Sequence, residues 1–96
     1  MRRQDIIDIL QAHRPELRAE GIESLALFGS VARGEERDES DVDLLVEFNR
    51  PIGMFHFLHV RRRLSELLGC DVDLVTRPAL RQEMRDDILE EAVDVT

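Results

Sequence analysis

The fold of this 96-residue chain is decided by the stretch LALFGSVARG (residues 25–34) and, after a charged loop, by SDVDLLVEF (residues 40–48). Each part contains an apolar run of strand length, so together they predict two β-strands joined by a polar loop. The first strand ends at Gly29 and Ser30, and the second opens with Asp41 and Asp43. Because one strand ends where the other begins, we expect the two to be antiparallel neighbours.

Asp41 and Asp43 stand two positions apart at the start of the second strand. Side chains alternate between the two faces of a strand, so these carboxylates share a face, with Cα atoms about 6–7 Å apart. Two carboxylates at this spacing can converge on a pair of divalent cations about 3.5–4 Å apart, the arrangement used for phosphoryl transfer. We therefore predict a metal site at Asp41 and Asp43.

Gly29 and Ser30 supply the other half of the predicted site. Gly29 lets the backbone approach a ligand closely, and Ser30 begins a short predicted helix, residues 30–33, whose free amides attract phosphate. Arg33 lies one turn further on, where it contacts either a nucleotide phosphate or a nearby carboxylate. Asp-x-Asp alone is commonly a solvated loop and Gly-Ser alone a turn. Their combination between two apolar strands indicates a metal and nucleotide site.

The rest of the chain predicts helices around a small mixed sheet of at least three strands, an α/β fold of the α+β type. The third strand should lie parallel to the second, because a helix connects them. The predicted elements are a helix over residues 3–13, a turn over 15–19 closed by Gly21, a strand over 24–28, a loop over 49–53, a helix over 54–68, a strand over 70–75, a helix beginning near Pro78 with the stripe Leu80, Met84, Ile88 and Ala92, and a frayed tail over 94–96.

A third carboxylate is expected from the third strand. Parallel pairing places the start of this strand beside the start of the second, so its carboxylates can reach Asp41 and Asp43. Asp71 and Asp73 share a face, and residue spacing alone leaves both open as the third metal ligand.

Composition narrows the classes of function. Ninety-six residues predict one domain spanning residues 1–96, and the net charge of −8 argues against direct binding to nucleic acid. No apolar run is long enough to span a membrane and no signal pattern is present, so we expect a cytoplasmic protein. All thirteen basic residues are arginines, which excludes a P-loop lysine or a lysine Schiff base. The single cysteine, Cys70, excludes an internal disulfide.

The motif Gly29-Ser30-Val31-Ala32-Arg33-Gly34, followed by Ser40-Asp41-Val42-Asp43-Leu44, resembles the signature of the DNA polymerase beta-like nucleotidyltransferases. The similarity is to their minimal, single-domain prokaryotic members, and it extends from Pro15 into the last helix. The resemblance implies the polymerase beta-like fold, with Mg²⁺ at the carboxylates and a nucleotide at Gly29, Ser30 and Arg33. It also favours Asp73 as the third catalytic carboxylate, with Asp71 as the fallback.

The resemblance further implies an activity and a partner. Minimal members of this family look like antitoxins of HEPN-family toxins, and they attach AMP from ATP to a toxin tyrosine. Since this chain contains no tyrosine, such an acceptor would have to come from the partner protein. Two alternatives stay open: an antitoxin that neutralises its partner by binding alone, and a nucleotidyltransferase that acts on a small molecule.

Overall fold

The computed structural model describes residues 3–32, 41–79 and 82–95 of the chain. The described residues form a four-stranded mixed sheet flanked by helices, which confirms the predicted fold class. The elements in chain order are α1 (Arg3–Ala12), α2 (Arg14–Ala19), β1 (Ile22–Phe28), α3 (Gly29–Ala32), β2 (Val42–Phe48), α4 (Met54–Leu68), β3 (Val72–Thr76), a 3₁₀ turn (Arg77–Ala79), α5 (Gln82–Glu91) and β4 (Val93–Asp94).

The strands lie in the order β3-β2-β1-β4. β1 pairs antiparallel with β2, and β2 pairs parallel with β3, as the sequence predicts. β1 occupies an interior position in the sheet, which agrees with its almost continuous apolar sequence.

The two faces of the sheet are covered differently. One face packs with α1, α2 and α4 in the main core, where Leu25, Leu27 and Leu44 are fully buried beside Ile6 and Leu64. The opposite face carries a smaller cluster, in which Leu45 of β2 packs with Ile88 of α5. Leu44 and Leu45 are consecutive residues that face opposite sides, so β2 is buried on both faces at its middle.

Two predicted boundaries near prolines are wrong. Residues 15–19 form most of helix α2 instead of a turn, with Pro15 in the first turn, where its missing N–H breaks no helical hydrogen bond. Gly21 does end this segment as predicted, with φ of +96° and its N–H donating to the Arg18 carbonyl at 3.0 Å. Pro78 lies in a 3₁₀ turn (Arg77–Ala79) and not in the first turn of α5, which the structure describes over Gln82–Glu91. Leu80 and Arg81 are outside the described residues.

The predicted frayed tail is also wrong. Val93 and Asp94 form β4, which pairs antiparallel with β1 opposite Leu27 and Ala26. The N–H of Val95 then donates to the Leu25 carbonyl at 2.9 Å, and the Val95 side chain is fully buried. β4 and Val95 therefore cover the edge of β1. They satisfy backbone groups of β1 that would otherwise face solvent.

Within the described ranges, no helix is both long and apolar enough to cross a membrane.

We expect Val95→Ala to lower the free energy of unfolding by about 2 kcal/mol, because the fully buried side chain loses apolar contacts and leaves a cavity. Val93→Ala is the matched control: the same atoms are removed from a half-buried position, so its cost should be clearly smaller. Urea denaturation of the two variants measures the difference, and equal costs would contradict the buried position of Val95.

Candidate active site

Three element ends meet at one edge of the sheet. β1 ends at Phe28, which pairs with Asp43 near the start of β2. Asp43 pairs in turn with Asp73 near the start of β3. The short helix α3 begins at Gly29, directly after β1. The topology therefore brings the Gly-Ser segment and the strand carboxylates to the same place.

The parallel register of β2 and β3 places Asp73 directly beside Asp43. Paired residues in neighbouring strands lie about 4.8 Å apart and point to the same face. Their neighbours Val42 and Val72 are 2% and 7% exposed on the opposite, core-facing side. The two carboxylates therefore face away from the core together, Asp43 half-buried and Asp73 exposed.

Asp41 and Asp71 immediately precede the same two strands, two positions before Asp43 and Asp73. The N–H of Val42 donates to the Asp71 carbonyl at 3.0 Å, which extends the ladder to the edge, and both side chains are exposed. Continued by one residue, the register places Asp71 beside Asp41, and the shared face of Asp41 and Asp43 stays a prediction. The register favours Asp73 as the third carboxylate beside Asp43, and that assignment stays a prediction.

Gly29 provides space for one of these carboxylates. Its φ is +78°, a left-handed conformation that side chains with a Cβ adopt only with strain. A Cβ built at Gly29 would overlap Oδ2 of Asp43 and would lie 3.1 Å from its Cγ. The absence of a side chain at position 29 therefore lets the Asp43 carboxylate lie against the turn into α3.

The predicted nucleotide-binding residues are described only in part. Ser30 lies in the first turn of α3, one residue later than the observed start of that helix at Gly29. The conformation of the Ser30 side chain and all of Arg33 lie outside what the structure describes. Their assignment to the nucleotide stays a prediction.

The acidic edge also influences Cys70, which precedes β3. Burial raises the pKa of the Cys70 thiol, and the nearby charges of Asp41 and Asp71 raise it further. The thiol therefore stays protonated at neutral pH, which argues against a nucleophilic role for Cys70.

The carboxylates fit a hard divalent cation by donor type. Asp43 and Asp73 present oxygen donors on one face, and magnesium is usually held by one or two carboxylates together with substrate phosphates. Within residues 3–32, 41–79 and 82–95, no three His, Cys, Asp or Glu side chains are gathered closely enough to hold a metal ion. The fit to magnesium therefore rests on the oxygen donors and on the face of the sheet that they share. The phosphates of a nucleotide would supply the remaining ligands.

The two histidines of α4 contact Glu20, which follows α2. Nε2 of His56 lies 2.6 Å from the Glu20 backbone carbonyl, and Nε2 of His59 lies 3.4 Å from Oε1 of the Glu20 carboxylate. These contacts connect the start of α4 to the end of α2. His13 similarly places its Nδ1 2.9 Å from the Ile9 carbonyl.

The sequence predicted the last helix but not that this helix covers the face of the sheet that carries Asp43 and Asp73. Ile88 and Leu89 of α5 pack in one cluster with Leu45 and Val75. Those two strand residues follow Asp43 and Asp73 by two positions, so they lie on the same face of the sheet. Leu45 and Val75 were the available signal. Apolar residues at these two positions imply that another element covers the carboxylate-bearing face further along the strands.

Carboxylates paired across parallel strands, beside a Gly-Ser turn into a helix, are the arrangement expected of a nucleotidyltransferase. Comparison with known proteins agrees, because the family model described as "Nucleotidyltransferase domain" matches residues 6–95. The chain belongs to this nucleotidyltransferase family, which confirms the resemblance found in the sequence.

Individual relatives are similar over nearly their whole length. The chain is 39% identical over 93 residues to the protein adenylyltransferase MntA of Thermococcus cleftensis, covering 96% of this chain and 94% of that protein. A solved structure described as a minimal nucleotidyltransferase is 35% identical, with a TM-score of 0.73, covering 91% of this chain and 93% of the other.

Two further solved structures show the fold alone, because their identity to this chain is low. One is a toxin-antitoxin complex with AMP-PNP, 21% identical with a TM-score of 0.70, covering 100% of this chain and 73% of the other. The other is a tri-AMPylated HEPN toxin from Shewanella oneidensis in complex with an MNT antitoxin. It is 17% identical with a TM-score of 0.66, covering 94% of this chain and 71% of the other.

We expect Gly29→Ala to destabilise the protein by about 2 kcal/mol or more and to lower nucleotidyl transfer about 100-fold, since the new Cβ strains the backbone and displaces the Asp43 carboxylate. Gly69→Ala is the matched control, because Gly69 has φ of +70° but has no atom within 4 Å of its built Cβ. That variant should cost about 1 kcal/mol and keep its activity. Thermal unfolding and a transfer assay measure both effects, and equal losses of activity would refute the contact between Gly29 and Asp43.

Proposed function

We propose that this nucleotidyltransferase transfers AMP from ATP to a tyrosine hydroxyl of a HEPN-family toxin, with magnesium, and so acts as the antitoxin of that protein. The observation that carries the proposal is the paired register of Asp43 and Asp73 beside Gly29. It places acidic side chains from two strands at the point where a Gly-Ser turn offers backbone amides. Phosphoryl transfer requires both features close together.

In the proposed reaction the acceptor hydroxyl oxygen attacks the α-phosphorus of ATP, a new phosphorus–oxygen bond forms and pyrophosphate leaves. Magnesium, when bound, neutralises phosphate charge and lowers the pKa of the acceptor hydroxyl. Asp41 and Asp43 would orient the nucleotide through the two ions, and Asp73 would complete the second site and accept the hydroxyl proton. Ser30, Arg33 and the amides after Gly29 would hold the departing phosphates.

The choice of partner and acceptor is supported by the relatives. The similar protein from Thermococcus cleftensis is named a protein adenylyltransferase, and the Shewanella oneidensis structure contains an AMPylated HEPN toxin with its MNT antitoxin. The structure with AMP-PNP supports an adenine nucleotide as the substrate. This chain contains no tyrosine, so the acceptor tyrosine belongs to the partner. We also propose that residues 1–96 act as one domain.

The proposal predicts that a HEPN-family protein from the same organism, the product of the neighbouring gene if that gene encodes one, gains the mass of one or more AMP units when it is incubated with this protein, ATP and Mg²⁺. Asp41→Asn and Asp43→Asn should each lower the rate about 100-fold or more, because each removes a charged ligand of the reacting phosphates. Intact mass spectrometry measures the gain, and fragmentation identifies the modified side chain.

The third carboxylate is tested in the same assay with a matched pair of variants. Asp73→Asn should lower the transfer rate about as strongly as Asp43→Asn, whereas Asp71→Asn should retain most of the activity. The reverse order would assign the role to Asp71. A partner that forms a tight complex but gains no mass would exclude the enzymatic proposal in favour of an antitoxin that acts by binding. Transfer only to a small molecule would exclude the protein acceptor.

A further inference from the structure

Arg3 connects helix α1 to the short helix α3. The buried residues of α1 are Ile6 and Leu10. Arg3 precedes Ile6 by three positions, so it lies on the same side of α1 as this buried pair. Its Nη1 donates a hydrogen bond to the backbone carbonyl of Ala32 at 3.1 Å. A residue of the first helix therefore contacts the last residue of the segment that follows β1.

The hydrogen bond belongs to a packed contact between α1 and α3. Ala32 is 6% exposed and lies in the same core cluster as Ile6 and Leu10. Arg3 is an exposed residue as a whole, but its hydrogen bond to Ala32 is partly buried. An arginine at the border of a core can pack its stem on apolar groups while its guanidinium donates to a carbonyl. Arg3 thus holds the end of α3 against α1.

The position of α3 depends on contacts of this kind, because the helix is only four residues long. A single helical turn is not stable through its own hydrogen bonds. The last carbonyls of a helix have no partner within the helix, and the carbonyl of Ala32 is one of them. Arg3 satisfies this carbonyl from outside the helix.

The two ends of α3 are fixed by different parts of the chain. At the start, Gly29 directly follows Phe28, which pairs with Asp43, and the Asp43 carboxylate lies against Gly29. At the other end, Ala32 packs in the core and accepts the hydrogen bond from Arg3. Loss of the second contact would let the end of α3 shift while its start stays beside Asp43. The direction of the backbone amides between the two ends would then change.

Nucleotide binding is sensitive to such a shift. In the proposed function, the backbone amides after Gly29 hold the departing phosphates of ATP. Hydrogen-bond donors bind a ligand most strongly when the fold already points them at it, because no ordering cost is then paid on binding. Displacement of α3 should therefore weaken nucleotide binding, although every group that touches the nucleotide is still present.

We infer that Arg3 is a positioning residue for the nucleotide. Its hydrogen bond to Ala32 fixes the end of α3 and so keeps the turn at Gly29 and Ser30 oriented towards the phosphates. This inference rests on the proposed function, and it adds to the site a side chain that lies 29 positions from Ala32 in the chain.

The inference is tested by measuring the affinity of the protein for AMP-PNP with Mg²⁺, using titration calorimetry. Arg3→Met removes the donor and the charge but keeps a long, straight side chain of similar helix propensity. It should weaken binding about fivefold to tenfold, because a charge-assisted hydrogen bond no longer holds α3. Arg3→Lys should recover much of the affinity, since its ammonium can donate to the same carbonyl. Thermal unfolding checks that each variant is folded at the temperature of the measurement.

Arg18→Met is the matched control, because it removes the same side chain and the same charge from an exposed position on α2. It should leave the affinity within about twofold of the wild type. The carbonyl carbon resonance of Ala32 reports the hydrogen bond itself. Without nucleotide, this resonance should shift in Arg3→Met and stay unchanged in Arg18→Met.

Transfer kinetics separate positioning from a general loss of structure. Arg3→Met should raise the KM for ATP about as much as it weakens AMP-PNP binding and should change kcat by less than about threefold, because the lost contact acts on the nucleotide before as well as during the reaction. A partly unfolded enzyme would instead lose kcat at an unchanged KM.

Three results would overturn the inference. One is an affinity for AMP-PNP that Arg3→Met leaves within about twofold of the wild type. Another is a weakened affinity with an unchanged Ala32 resonance, which would mean that Arg3 contacts the nucleotide directly. The third is an Arg3→Lys variant that binds no better than Arg3→Met.

The same measurements distinguish this inference from the proposed function. A wild type that binds AMP-PNP in an Arg3-dependent way but transfers no AMP would refute the proposed activity and leave the role of Arg3 supported. A wild type that does not bind AMP-PNP would refute both.

Discussion

The parallel pairing of β2 with β3 is the interaction on which the site depends. The register runs from Val42 opposite Val72 to Val46 opposite Thr76. A slip of one residue would turn every side chain of one strand to the other face, burying carboxylates and exposing valines. Burial of Val42, Leu44 and Leu74 therefore fixes the register, and the register in turn fixes the position of Asp43 beside Asp73. Core packing and the arrangement of the active site are enforced by the same contacts.

Helix α4 makes this pairing possible, because parallel neighbours require a crossover connection. Its core side is held by Leu64 and Leu68, and its contacts with α2 fix its rotation about its own axis. The side of α4 that carries Met54, Phe55 and Leu58 takes part in neither contact and is exposed. In this small chain, α4 therefore covers the core, contacts the N-terminal helix α2 and exposes a third side to solvent.

Much of this arrangement could be predicted from the sequence. Apolar runs of strand length predicted β1, β2 and β3, and Pro51, Gly53 and Gly69 bounded α4 at its observed ends. β4 could not be predicted in this way, since two residues carry no periodicity and Val95 is buried only because β1 has a free edge. Pro15 misled the prediction because proline both ends helices and begins them. Residue spacing alone left both Asp71 and Asp73 open, because which of them lies beside Asp43 depends on the register, a long-range property of the fold.

The contact between position 29 and Asp43 also constrains how such a chain can evolve. A larger residue at position 29 interferes with the Asp43 carboxylate. Substitutions at positions 29 and 43 are therefore coupled for as long as the site is functional. A lineage that lost Asp43 to a small residue would remove most of the overlap, but the positive φ at position 29 would still select for glycine. Glycine should therefore persist at position 29 in descendants that have lost the aspartate, where it would mark the place that the carboxylate once occupied.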